Sequence, residues 1–259
     1  MKTLTTTLLL AAATAGAAQA DTALGLTGDR TLVMIDTATA AVTGSLEAQG
    51  VTALHGIDWR PGTGKVIGLT DSFAIVEIDP ATGATAEIAK LAAPLTLAEG
   101  VPVIVDVNPA ADKLRVISGT ANYRIDMATG DVTTDLALNF DAADANAAAT
   151  PMVVAVAYSN SFGKPEKTAM YDIDAGLNAL LQQTKPNEGL LATIGSLGVT
   201  LDGPVALDIA TTADGTNTAW VAALGGLHRL DLATGAVSGT MPLTGTDQPI
   251  RDMTVLPAM

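Results

Sequence analysis

Cysteine is absent from the 259 residues. That excludes disulfides, thiolate-bound zinc, iron–sulfur clusters and thiol catalysis. Only two histidines occur, His55 and His228, too few for a histidine-rich metal site. Aromatic residues are scarce at 3%, so any core has to be built from Ala, Val, Leu and Ile, and no stacking platform for nucleic acid is present. Basic residues are few as well: 13 Lys and Arg face 27 Asp and Glu, for a net charge of −14. An acid excess of this size argues against nucleic acid and anionic membranes as partners. No P-loop, dinucleotide fingerprint or G-x-S-x-G elbow occurs; neither a nucleotide nor haem is expected as a cofactor. What the chain does have is apolar residue, 48% of it, enough for a sizeable core and too much for a disordered chain.

Residues 1–20 combine Lys2, an apolar run from Leu8 to Ala13 and the triplet Ala18-Gln19-Ala20. This is the pattern of a secretory signal peptide, with cleavage expected before Asp21. The run is far shorter than the roughly 20 residues that span a bilayer, and no later stretch approaches that length. The mature chain is expected to be soluble, periplasmic or secreted, and not inserted in the membrane. It would meet a periplasmic or extracellular ligand or protein.

From Asp21 onward the sequence repeats itself. Ile35-Asp36-Thr37-Ala38-Thr39-Ala40 returns as Ile78-Asp79-Pro80-Ala81-Thr82-Gly83, as Ile125-Asp126-Met127-Ala128-Thr129-Gly130 and as Leu230-Asp231-Leu232-Ala233-Thr234-Gly235. The aspartates are spaced by 43, 47 and 105 residues, the last being two units of about 52. Between the turns lie short runs rich in β-branched residues, such as Lys65–Leu69, Ala74–Ile78, Lys113–Ile117 and Ala219–Ala223. Units of this length suit propeller blades of four strands. Five innermost strands are expected near residues 53–59, 103–108, 152–158, 204–210 and 250–256. The N-terminal segment offers only three strands, near 22–27, 31–36 and 40–46, so residues 250–256 would complete that blade from the C-terminus. The expected fold is therefore all-β, a five-bladed propeller over residues 21–259 closed by strands from both ends; six blades and a β-sandwich are the alternatives. Leu177–Gln182 is read as strand, and the Ala-rich Asp141–Ala149 as loop.

The segments GIDWRP, VDVNPAADKLRVIS, AVAYSNSF, AMYDID and QQTKPNEGLLATIGSLGV resemble an uncharacterised secreted bacterial family, domain of unknown function 4394. Asp112–Ser118 and Pro186–Gly198 are its most specific pieces. The resemblance implies an exported, propeller-like repeat protein and implies no activity.

Asp58, Asp106 and Asp208 occupy matching places on three presumed innermost strands. Strand alternation sets each opposite its apolar neighbours, so the three face the propeller axis or the next blade. Near the axis they could hold Ca²⁺ or another hard cation; otherwise they accept backbone N–H groups between blades. The fourth strand lacks the Asp and the fifth offers Thr254, so a complete acidic ring is not expected. The turn residues Asp36, Asp79, Asp126 and Asp231 read as backbone caps. His55 lies three residues before Asp58, on the opposite face unless Gly56 forms a bulge, and Arg251 takes the matching position in the closing strand as a polar rim residue. His228 reads as a surface residue. Arg115, Tyr123 and Arg124 form a polar cluster that could bind a carboxylate or phosphate, or could make ion pairs with Asp112 or Asp126.

These residues support a non-catalytic binding module that takes a small ligand, cation or protein at one propeller face. The alternatives are a metal-assisted hydrolase or lactonase using Asp58, Asp106, Asn108 and Asp208, with the cation activating water, and a structural envelope or surface protein.

Overall fold

Short runs of β-branched residues joined by tight turns satisfy their backbone by pairing with their sequence neighbours. The computed structural model, which describes residues 21–257, follows that rule throughout. The first blade contains β1 (Thr22–Thr27), β2 (Thr31–Asp36) and β3 (Ala41–Glu47). The second contains β4 (Leu54–Arg60), β5 (Lys65–Thr70), β6 (Ala74–Ile78) and β7 (Thr85–Lys90). The third contains β8 (Val103–Asn108), β9 (Lys113–Ser118), β10 (Ala121–Asp126) and a short outer strand, β11 (Val132–Thr134). A two-residue strand, β12 (Asn139–Phe140), follows it. The fourth blade is β13 (Val153–Tyr158), β14 (Met170–Asp174), β15 (Ala179–Lys185) and β16 (Leu190–Ser196). The fifth is β17 (Ala206–Thr211), β18 (Asn217–Ala223), β19 (Gly226–Leu230) and β20 (Val237–Pro242). The last strand, β21 (Asp252–Leu256), pairs antiparallel with β1 and completes the first blade.

The innermost strands β21, β4, β8, β13 and β17 contact one another in a closed circuit. The fold is a five-bladed propeller, with five blades rather than six and no sandwich. Five apolar clusters fill the five gaps between neighbouring blades. Ile67, Val105 and Val116 pack between blades two and three, for example, and Ala157, Ile173 and Leu207 between four and five. The core is thus five thin wedges made of aliphatic side chains, which is how so few aromatics suffice.

The recurring turn does two things. Oδ1 of Asp36, Asp79, Asp126 and Asp231 accepts a backbone N–H two residues on, at 2.8 Å each time. Gly130, at φ +77°, sits so close to the preceding blade that a Cβ there would fall 1.9 Å from the Lys90 carbonyl oxygen, and its own carbonyl accepts the Ala92 N–H. The glycine of the motif therefore serves inter-blade contact as well as turn geometry.

The fourth blade is irregular in a way the repeats do not disclose. After β11 the chain leaves its own blade, and β12 pairs parallel to β16 as a fifth strand on the next sheet. Asp141–Ala149 is a run of turns, and the strand expected at Leu177–Gln182 begins at Ala179. The expected signal peptide, residues 1–20, lies outside the described residues. No helix among the described residues is long and apolar enough to cross a membrane.

Candidate functional site in the central channel

The innermost strands place Asp58, Asp106, Ala157, Asp208 and Thr254 at one equivalent level, each aimed toward the following blade. The hydrogen bonds show the equivalence. Asp58 Oδ2 accepts the Val107 N–H at 2.7 Å, and Asp106 Oδ1 accepts the Tyr158 N–H at 3.0 Å. Asp208 Oδ2 accepts the Val255 N–H, and Thr254 Oγ1 accepts the Trp59 N–H at 2.9 Å. Every acceptor binds the N–H one residue beyond its counterpart on the next blade. Ala157 has no acceptor to offer, so the Ile209 N–H turns to the Asp208 carboxylate instead, at 2.6 Å.

These bonds draw Asp58, Asp106 and Asp208 together. One carboxylate oxygen of each lies within 4.8 Å of the others, and all three residues are buried. Thr254 Oγ1 stands 2.9 Å from Asp58 Oδ1 and 3.3 Å from Asp208 Oδ2, its proton shared between them. The second oxygen of Asp106 accepts no hydrogen bond among the described residues. Among the described residues, no ion pair with Lys or Arg reaches any of the three. Burial raises the pKa of Asp58 and Asp106 well above the usual carboxylate range, and the neighbouring carboxylates push them further. Burial raises Asp208 to about 6. A cavity of about 250 Å³ opens over Asp58 and Asp208, with Trp59, Phe162 and Thr211 among its walls.

One channel residue escaped the sequence reading. Asp252 lies two residues before Thr254, on the same face of β21. Its Oδ2 accepts the Ile57 N–H at 2.7 Å, and burial raises its pKa to about 7. Its position in a strand that looks complete with Thr254 masked it; the i, i+2 spacing was the available signal.

The other candidates divide. Arg251 donates to the carbonyl oxygens of Gly28, His55, Asp29 and Leu54, so it clamps the first blade to the second. A register shift does occur between Leu54 and Gly56, yet the His55 ring lies 5.7 Å from that of Phe73 and makes no hydrogen bond with Asp58. Asn108 Oδ1 caps the turn after β8 by accepting the Ala110 and Ala111 N–H groups. His228 is buried, not on the surface: its ring nitrogens meet Thr240 Oγ1 at 3.0 Å and the Ala223 carbonyl at 2.9 Å.

Arg115 and Arg124 stand directly opposite on β9 and β10, and both bind Asp135 rather than Asp112 or Asp126. Asp112 pairs with Arg60, and Asp126 with Lys113. Tyr123 points to the other face of β10, joins the apolar wedge between blades two and three, and donates its hydroxyl to the Thr96 carbonyl. It is not part of the arginine cluster. Asp135 carried no sequence signal, because it lies past a short outer strand outside the repeat.

No curated protein matches the chain. Solved structures resemble it at low identity. A protein of unknown function from Bacteroides thetaiotaomicron VPI-5482 is 14% identical with a TM-score of 0.52, over 93% of this chain and 68% of that one. An auxiliary nutrient binding protein from the same organism is 13% identical with a TM-score of 0.48, over 89% of this chain and 58% of that one. Another from Bacteroides ovatus ATCC 8483 is 15% identical with a TM-score of 0.47, over 78% and 56%. At such identity the likeness to the first bears on fold alone, and the other two carry no argument. The family profile described as Domain of unknown function (DUF4394) matches residues 25–254, nearly all of the propeller, and the chain belongs to that family.

Proposed function

We propose that this protein is an exported, non-catalytic binding propeller whose channel carboxylates Asp58, Asp106 and Asp208 hold a hard divalent cation, Ca²⁺ first among candidates. The observation that carries the reading is the convergence of three buried carboxylates, oxygens within 4.8 Å of one another, with no cationic side chain among the described residues paired to them. Two oxygens on opposite sides of a Ca²⁺ ion, each bound at about 2.4 Å, stand about 4.8 Å apart, so this spacing fits. The unbonded oxygen of Asp106 would be a direct ligand. Water in the cavity above would complete the shell, since Ca²⁺ takes about 6–8 oxygens. Binding is favoured over hydrolysis by the hydrogen bonds already held by both oxygens of Asp58 and of Asp208, and by His55, which faces Phe73 rather than the carboxylates.

The test is thermal unfolding at pH 7.5 after EDTA treatment, with and without added Ca²⁺ or Mg²⁺. A cation at about 100 times its Kd adds about 2.7 kcal/mol, which raises Tm by about 5–10 °C in a chain of this size. Asp106→Asn should abolish that rise. No rise in the wild-type protein, together with no metal by elemental analysis, would refute the reading. Export is checked separately: protein recovered outside the cytoplasm should begin at Asp21.

A further inference from the structure

The arginine pair on β9 and β10 takes no part in the channel. In a chain of net charge −14 with 13 basic residues, Arg115, Arg124 and Lys185 line a single cavity of about 350 Å³ between blades three and four. Asn108 and Asn187 lie in the same wall. Like charges directly opposite on neighbouring strands repel, and here one carboxylate serves both: Asp135 accepts from Arg115 at 2.7 Å and from Arg124 at 2.7 and 2.9 Å. Two guanidinium charges therefore share one counter-charge. Lys185 meets Glu188 at 3.2 Å in an exposed pair that holds neither residue firmly. With Glu188 counted, the cavity keeps one positive charge in excess.

Its donors are in excess too. Arg124 uses Nε and Nη2 on Asp135 and leaves Nη1 without an acceptor among the described residues. Asn187 accepts from Arg115 Nη2 through Oδ1, which orients its amide so that Nδ2 is left over. The frame behind these groups is rigid. Arg115 is 2% exposed and is held by Tyr158, Asn122, Asp135 and Asn187 together, while Asn122 Nδ2 donates to the Leu136 and Pro186 carbonyls. Those bonds fix the Lys185–Glu188 turn against the third blade. A positively charged hollow with fixed planar donors recognises oxyanions, because carboxylate and phosphate oxygens match the guanidinium fork.

We propose that this inter-blade cavity is a binding site for a small oxyanion, carried as a carboxylate or a phosphate group, held by Arg124, Lys185 and Asn187 over the buried Arg115. The site is separate from the channel and does not depend on a cation there. The experiment is calorimetric titration of the whole protein with malonate and with inorganic phosphate, each against sodium chloride of equal ionic strength. Arg124→Gln leaves Asp135 paired with Arg115 and should weaken binding by about tenfold or more. Lys185→Gln, which alters only an exposed pair, should weaken it by about two- to fivefold and serves if the first variant is unstable. The same titrations in the presence of EDTA should give an unchanged affinity. Saturable binding of either anion that weakens in the variants supports the site, and the anion that binds separates a carboxylate from a phosphate source. Neither anion binding beyond the chloride control, or affinities unmoved by both substitutions, would overturn it.

Discussion

At Gly56 a side chain has nowhere to go. A Cβ there would lie 2.4 Å from Asp252 Oδ2 and 2.6 Å from Val105 Cγ2. The missing side chain lets a carboxylate of the closing strand reach the Ile57 N–H on the neighbouring blade. Gly56→Ala should therefore displace the Asp252 carboxylate and destabilise the fold by about 1–3 kcal/mol, measured by urea unfolding. Asp172 is a second residue whose surroundings matter. It is fully buried, accepts from Gln183 Nε2 at 2.9 Å and leaves Oδ1 without a partner among the described residues; burial raises its pKa to about 7. Asp172→Asn keeps an acceptor for Gln183 and removes the titration. Its stability should exceed that of the wild-type protein at pH 8 and match it more closely at pH 5, a comparison that thermal melts at the two values make directly.

Strand pairing decides what happens at Asp135. Because β9 and β10 set Arg115 and Arg124 side by side, removing their shared carboxylate would leave a guanidinium buried without a counter-ion. Asp135→Asn should cost about 3–5 kcal/mol, visible as a lower denaturation midpoint at unchanged slope. The same substitution on an exposed pair, such as Glu188→Gln beside Lys185, should shift the midpoint scarcely at all. The contrast separates a charge held inside the blade stack from one in solvent.

Proton linkage and ring closure belong to the whole molecule. Burial holds Asp172 and Asp252 at about 7 and Asp208 at about 6, with Asp58 and Asp106 also raised, all above the roughly 3.9 of an unfolded aspartate. The folded state therefore binds more protons than the unfolded chain between about pH 4 and pH 7, and stability falls as pH rises through that window. Metal-free protein should melt higher at pH 5 than at pH 8, and a bound cation should erase part of the difference by keeping the carboxylates ionised at less cost. A flat profile from pH 5 to pH 8 would contradict the burial of these groups. Closure by β21 carries Arg251, Asp252 and Thr254 into the ring at once. Deleting residues 250–259 should leave β1 with an open edge and β4 and β17 without the strand packed between them, and give a chain that associates, read by size-exclusion chromatography.

Much of this was readable from one dimension. Turn chemistry is local, so the Ile-Asp-x-Ala-Thr-Gly repeats disclosed the hairpins, their number and, through the incomplete first unit, the closing strand. Period-2 alternation set Asp58, Asp106 and Asp208 on one side of their strands, because neighbouring side chains in a strand must point opposite ways. Three things depended on the arrangement in space. The distance between those carboxylates follows from how closely the innermost strands pack around the axis. Asp135 reaches two arginines because the chain departs from its repeat after β11 and lends β12 to the next blade. Asp252 enters the channel because Gly56, nearly two hundred residues away, leaves room for it. Local pattern specifies which way a side chain points; only the closed ring specifies what it meets there, since those partners come from blades that share no sequence neighbourhood.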